Sequence, residues 1–158
     1  SSWVQNAENQ QLAHEIKPVD RRHAFPFTGI QRLEIHFMSG NSHLYPALVK
    51  HPEYIPRIKK TEKELTGQIL RYIPKKALNG SKEQLDMIHD GDILAMVTRK
   101  SGLDVSHLGF AVWGKDDKLH LLNASSLYKQ VVIEPRTLYD YCNSQNMQLG
   151  IRVIRINK

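Results

Sequence analysis

The stretch Gly91–Ser126, GDILAMVTRKSGLDVSHLGFAVWGKDDKLHLLNASS, decides the fold of this chain. Apolar runs alternate here with loop and turn residues, which predicts three consecutive β-strands beginning with Ile93–Thr98. Side chains along a strand alternate between its two faces. The second strand therefore presents one face made of Val105, His107, Gly109, Ala111 and Trp113. The third strand presents one face made of Leu119, Leu121 and Asn123.

The loop between the second and third strands decides whether His107 and Asn123 can act together. Residues 114–117, GKDD, are typical of a tight turn. A loop with an odd number of residues, centred on Lys115, places His107 directly opposite Asn123. An even number places the two side chains on opposite faces. A joint role for the pair therefore requires the odd loop.

An imidazole beside a carboxamide suits nucleophilic catalysis. A histidine that activates a nucleophile needs a partner to fix its ring, and the Asn123 side-chain oxygen can accept a ring N–H. Cys-His-Asn is one variant of this arrangement. Gly109 and Ala111 leave space on the same face, so we expect another element to pack there. The alternative interpretation is a core histidine and a turn asparagine.

Composition predicts one globular domain spanning residues 1–158. The net charge of +6 favours an anionic partner, which could be nucleic acid, cell wall or acidic lipid. The basic residues are dispersed and lack the aromatic interleaving of RNA-binding proteins, so we interpret them as a solvated surface and expect no nucleic acid. No stretch is long and apolar enough to predict a membrane span.

The order of elements predicts the α+β class, with helices followed by an antiparallel sheet. Residues 1–27 are polar, with few apolar anchors. The predicted helices lie in Tyr45–Thr66, after Ser81, and in Pro135–Asn143. The further predicted strands are Ile30–Met38, Ile69–Pro74, Gln130–Glu134 and Gly150–Ile156.

Cys142 is the one cysteine of the chain. It lies on a core-facing helical stripe rather than at a helix start, so we predict that it is structural and not a nucleophile. The histidines lack the spacing of a metal site, and Asp104 with His107 has no third ligand nearby in the sequence. We therefore predict neither a metal nor a cofactor.

Four separate motifs carry a resemblance to a known family: IHFMSGNSHLYPAL (Ile35–Leu48), YIPKK (Tyr72–Lys76), GLDVSHLGFA (Gly102–Ala111) and QLGIRVIRIN (Gln148–Asn157). Together they resemble the N-acetylmuramoyl-L-alanine amidase-like family. Residues 91–126 also resemble the histidine-containing half of papain-like, NlpC-type cell-wall cysteine peptidases. The resemblance runs from about Ile30 to the C-terminus.

The resemblance implies a papain-like fold and an amide hydrolase with a cysteine nucleophile at a helix start. The histidine of the family corresponds to His107 and its third catalytic residue to Asn123. Its nucleophile has no counterpart, since no cysteine precedes Cys142. We therefore expect residues 1–158 to be the C-terminal part of a larger domain, inactive alone, whose N-terminal helix is missing.

The expected partners are a peptidoglycan or peptide substrate and the missing N-terminal segment of the same protein. The resemblance also implies a periplasmic or secreted location. The alternative function is a non-catalytic, basic binding domain on the same scaffold.

Overall fold

The computed structural model describes residues 2–158, which fold around one antiparallel sheet. The strands are β1 (Ala13–Glu15), β2 (Gly29–Arg32), β3 (Ile69–Pro74), β4 (Ile93–Thr98), β5 (Val105–Trp113), β6 (Leu119–Ser125), β7 (Gln130–Ile133) and β8 (Gln148–Ile156). Their order is β2-β3-β8-β4-β5-β6-β7, and β1 pairs with the far end of β8. The α+β class with an antiparallel sheet is confirmed.

Five short α-helices flank the sheet in residues 2–158. They are α1 (Ser2–Asn9), α2 (Phe37–Gly40), α3 (Pro46–Lys50), α4 (Ile55–Leu65) and α5 (Leu138–Asn143). Single 3₁₀ turns occupy Ser42–Leu44, Pro52–Tyr54 and Lys75–Asn79. The prolines that interrupt the Tyr45–Thr66 pattern begin α3, a 3₁₀ turn and α4, as expected for residues that fit a helix start but not its interior.

Two predicted elements differ from the structure. The polar N-terminus, for which the sequence predicts no element, forms α1 and β1, and Val4 and Ala13 are buried there. The strand predicted over Ile30–Met38 ends at Arg32. The segment after Ser81 is a series of turns rather than a helix, although Leu85 is fully buried there.

The sheet has two faces with separate cores. On the first, which we call the inner face, Met96, Ala111 and Leu121 pack against Leu138 and Cys142 of α5. On the second, the outer face, Val4 of α1 packs on Ala13, Ala95 and Ile154. The central strands β4, β5 and β8 contribute to both cores because their side chains alternate between the two faces.

A β-bulge separates the start of β5 from the rest of the strand. Met96 of β4 pairs with His107, but the next residue, Val97, pairs with Val105, so Ser106 is the extra residue. Val105 packs in the outer-face core. The prediction that Val105 shares a face with His107 is therefore wrong, because the bulge reverses the alternation between them.

His120 fastens the β5–β6 turn to the end of β7. Its Nδ1 donates toward the carbonyl oxygens of Glu134 at 3.2 Å and Arg136 at 3.0 Å, and its Nε2 lies 3.0 Å from Asp116 Oδ2. Burial by itself lowers the pKa of His120. The hydrogen bonds to Asp116 and the two carbonyls outweigh it, so the pKa is raised overall.

A raised folded-state pKa means that protonated His120 stabilises the fold. This contribution is fully present below the ordinary histidine pKa of about 6.5 and is lost as the pH rises through the folded-state value. We expect His120→Gln to lower the free energy of unfolding more at about pH 5 than at about pH 9. Urea unfolding of both proteins at the two pH values measures this. An equal loss at both would contradict the assignment.

Candidate functional site

His107 and Asn123 meet at the edge of the inner face. His107 Nε2 lies 2.9 Å from Asn123 Oδ1, which is hydrogen-bonding distance. Asn123 is 5% exposed, and the His107 ring is half-buried. The structure therefore brings together the two side chains that the sequence singled out.

The pairing register of β5 and β6 differs by two residues from the one that would place His107 directly opposite Asn123. Trp113 pairs with Leu119, so the loop between β5 and β6 has an odd number of residues and is centred on Asp116, not on Lys115. Both side chains therefore share a face, as required. Continuing the same register puts Asn123 opposite Gly109, so the imidazole reaches the carboxamide diagonally.

The space that we expected beside His107 on this face is already filled. Ala111 is fully buried under α5, and a Cβ added to Gly109 would lie 2.5 Å from Leu121 Cδ1. The prediction that Gly109 and Ala111 await another element is therefore wrong. These small residues instead accommodate side chains of this chain.

The hydrogen bond assigns different roles to the two ring nitrogens of His107. Asn123 Oδ1 can only accept, so Nε2 carries the proton. In the neutral ring, Nδ1 then holds the free lone pair and can accept a proton. An imidazole held in this way can act as a general base.

The position of Asn123 is energetically unfavourable in one respect, because its Nδ2 is buried without a hydrogen-bond partner among residues 2–158. An unsatisfied buried polar group costs roughly 1–3 kcal/mol. The asparagine is therefore not explained by stability alone, which is typical of functional sites.

A buried ion cluster, which the sequence reasoning missed, supports the start of β5. Arg152 of β8 contacts both carboxylate oxygens of Glu15, at 2.6 and 2.8 Å, and Asp104 Oδ2 at 3.5 Å. The predicted solvated basic surface therefore does not include Arg152, and Asp104 is an ion-pair partner of this arginine. The signal was an arginine between Ile151 and Val153, because a cation within an apolar central strand requires an anionic partner.

A cavity of about 440 Å³ opens beside the same end of β5. Its walls include Ser2 and Trp3 of α1 and the segment Ser106–Leu108. Much of its lining is apolar, with contributions from Ile35, Met38, Ile58, Leu65 and Leu103. Its volume falls in the range of small-ligand pockets.

Cys142 is buried in the inner-face core, with its Sγ 3.9 Å from Met96 Sδ. Burial raises the pKa of its thiol to about 12. A thiol that ionises so reluctantly is a poor nucleophile. The structure places Cys142 where a packing role was predicted.

We expect Cys142 to react with iodoacetamide at about pH 8 roughly 10²-fold or more slowly in the folded protein than in urea. The physical reason is the low thiolate fraction together with the absence of solvent access. Mass spectrometry of timed samples measures the two rates. Comparable rates would show that the core around α5 opens readily.

Within the described part of the chain, no three His, Cys, Asp or Glu side chains are placed to share a metal ion. The helices of residues 2–158 are all too short or too polar to cross a lipid bilayer.

Solved structures resemble this chain over nearly its whole length. An N-acetylmuramoyl-L-alanine amidase from Bacteroides uniformis is 35% identical, with a TM-score of 0.84, over 99% of this chain and 63% of its own. A Bacteroides fragilis protein with the provisional name of xylanase is 36% identical, with a TM-score of 0.82, over 98% and 63%. A Legionella pneumophila protein at 21% identity and TM-score 0.65 shares the fold.

The chain thus spans less than two thirds of the length of these relatives. No curated protein matches it. The family profile described as N-acetylmuramoyl-L-alanine amidase-like matches residues 1–151. This match covers nearly the entire sequence, and the chain therefore belongs to the N-acetylmuramoyl-L-alanine amidase-like family.

Proposed function

We propose that residues 1–158 are the C-terminal part of a papain-like, NlpC-type thiol amidase domain that cleaves peptide or muramoyl-peptide amide bonds of bacterial peptidoglycan. The observation that carries the proposal is the 2.9 Å contact between His107 Nε2 and Asn123 Oδ1, which leaves Nδ1 as a base. The nucleophile is a cysteine in a segment preceding Ser1. The site of action is the periplasm or the cell exterior.

The proposed reaction has two stages. His107 Nδ1 takes the thiol proton, and the thiolate attacks the amide carbonyl to form a tetrahedral oxyanion. The C–N bond breaks as Nδ1 returns the proton to the leaving amine, which leaves a thioester. Water then attacks the thioester with His107 as base, releasing a carboxylic acid and restoring the thiol. Asn123 keeps the ring oriented throughout.

Two features favour amide over glycoside hydrolysis, despite the name of the Bacteroides fragilis relative. Most glycosidases need two carboxyl groups that flank the scissile bond. The polar pair on β5 and β6 is an imidazole and a carboxamide. The nearby carboxylate of Asp104 is buried and contacts Arg152.

The test is digestion of purified peptidoglycan by the full-length protein. We expect release of new amino groups without new reducing ends, and complete inhibition by iodoacetamide. A Cys142→Ala protein, which should remain both active and inhibitable, controls for modification of the buried thiol. Reducing-end release, or amine release that survives iodoacetamide, would refute the proposal.

The second candidate function is a non-catalytic binding domain, which is favoured by the net charge of +6 and by the buried state of Cys142. It predicts peptidoglycan binding that weakens with added salt, together with no hydrolysis by the full-length protein. The same digestion therefore separates the two functions.

A further inference from the structure

The cavity beside the start of β5 brings charged side chains together with the proposed base. Its lining includes His107 and three residues that carry a full charge, which are Arg57 and Glu62 of α4 and Asp104 just before β5. Apolar side chains make up much of the remaining lining. A ligand that fits this cavity therefore needs both an apolar part and a charged part, and the charged residues decide the sign of that charge.

Both carboxylates of the cavity already have partners within the protein. Glu62 Oε1 accepts hydrogen bonds from the backbone N–H groups of Met38 and Ser39, each at 3.1 Å, and the residue is buried. Asp104 is also buried, and its Oδ2 lies 3.5 Å from the guanidinium of Arg152. Such hydrogen bonds and ion pairs offset the negative charge locally. The two acidic residues are therefore explained by the fold.

Arg57 differs from these carboxylates because the fold does not account for its charge. Among residues 2–158, its guanidinium forms no ion pair and donates no hydrogen bond, and its backbone carbonyl alone is engaged, by the Thr61 hydroxyl. Arg57 is the third residue of α4, where the positive end of the helix dipole makes a cation mildly unfavourable. An arginine that stabilises neither an ion pair nor its own helix is available for an anionic ligand.

One face of α4 places Arg57 at the open end of the cavity. The α4 residues in the cavity lining follow the spacing of a single helical face, and they are Arg57, Ile58, Thr61, Glu62 and Leu65. Exposure falls along this face, from Arg57, which is exposed, to Leu65, which is buried. A ligand whose apolar part fills the closed end near Leu65 would therefore hold its charged part beside the guanidinium.

We propose that this cavity binds the peptide part of the substrate, and that Arg57 determines specificity by binding a free carboxylate of that peptide. The inference rests on the proposed function in one respect, because it places the peptide beside His107, the proposed base. A guanidinium forms paired, charge-assisted hydrogen bonds with a carboxylate, so Arg57 distinguishes a carboxylate from a carboxamide of the same size. The apolar lining receives aliphatic side chains of the peptide, such as the methyl group of alanine.

The test compares two probes of nearly equal size and different charge. One is N-acetylmuramoyl-L-alanyl-D-glutamate, and the other is the same compound with both carboxyl groups converted to carboxamides. Isothermal titration of the full-length protein measures the affinity for each probe, in a His107→Ala background so that neither is hydrolysed. We expect the carboxylate probe to bind roughly 5–20-fold more tightly, and we expect added salt to reduce this preference.

Three variants in the same background assign the preference to Arg57. Arg57→Gln should bring the two affinities to within about twofold of each other, through weaker binding of the carboxylate probe alone. Arg57→Lys should keep part of the preference, because it retains the charge but loses the planar fork of donors. Lys59→Gln is the matched control, since Lys59 is an exposed cation of the same helix outside the cavity lining. This control should leave the preference unchanged.

Several results would overturn the inference. These are no measurable binding of either probe, equal affinities for the two probes, a preference that survives in Arg57→Gln, or an equal loss of preference in Arg57→Gln and Lys59→Gln. The last result would assign the preference to the basic surface as a whole. Because binding is measured without turnover, this failure is distinguishable from failure of the proposed amidase activity. A full-length protein that selects the carboxylate probe through Arg57 but hydrolyses no peptidoglycan would refute the amidase and keep the carboxylate site.

Discussion

Replacing His107 by Ala in the full-length protein should lower the rate of peptidoglycan amide hydrolysis by roughly 10²–10⁴-fold. The reason is the loss of Nδ1, the atom proposed to take the thiol proton and to protonate the leaving amine. The melting temperature should change little, because the ring is half-buried and lies at the edge of the core. Amine release from purified peptidoglycan and a thermal melt provide the two measurements.

The matched control is His51→Ala, since His51 is an exposed histidine distant in sequence from the pair. Its hydrolysis rate should equal that of the wild type. Asn123→Ala should also lower the rate, because the carboxamide oxygen that holds Nε2 is lost and Nδ1 is no longer kept in one orientation. An effect of Asn123→Ala on stability alone, or a His107→Ala protein with a third of the normal rate, would contradict the assigned roles.

The pairing of His107 with Asn123 was predictable because it depends on parity. Strand alternation fixes the face of each residue, and an odd loop of any length keeps both on one side. The precise register was not predictable in this way. Asp116 accepts a hydrogen bond from the Lys118 backbone N–H, and Asp117 has a φ of 55°, so the turn extends to Lys118.

The sequence could not reveal which face of β5 the chain covers. Gly109 and Ala111 suggested vacant space because small residues are unusual on a core-facing strand. The structure shows Leu121 and α5 filling that space, whereas the larger Phe110 is exposed. Which face of a strand is covered depends on contacts between elements that are distant in sequence. The size of the residue at a single position does not predict those contacts.

The β-bulge at Ser106 could not be predicted from the sequence for a related reason. A bulge adds one residue to a strand without any special residue type, so the period-two pattern continues through it in the sequence. As a result, the side chains of Asp104 and Val105 lie on the outer face of the sheet, whereas that of His107 lies on the inner face. The bulge therefore lies between His107, the proposed base on the inner face, and Asp104, which belongs to the buried ion cluster on the outer face.

Replacing Arg152 by Met should lower the free energy of unfolding by about 3–5 kcal/mol. The Arg152 side chain is 3% exposed and lies between Glu15 and Asp104, whose side chains are 5% and 6% exposed. Removing the guanidinium leaves two acidic groups buried without their shared cation. Urea unfolding measures the change, and Arg99→Met, an exposed β4-flanking position, should stay within about 0.5 kcal/mol of the wild type.

A double-mutant cycle separates the ion pair from simple packing. Adding Glu15→Gln to Arg152→Met removes one of the uncompensated carboxylates, so the double variant should be more stable than the sum of the single losses implies. Strictly additive losses would show that the arginine acts through its aliphatic stem alone. Asp104 lies three residues before His107, so losing Arg152 also removes the anchor at the start of β5. Arg152→Met should therefore slow amide hydrolysis at temperatures where the protein remains folded. The hydrogen bond between His107 and Asn123 is not itself removed by this change.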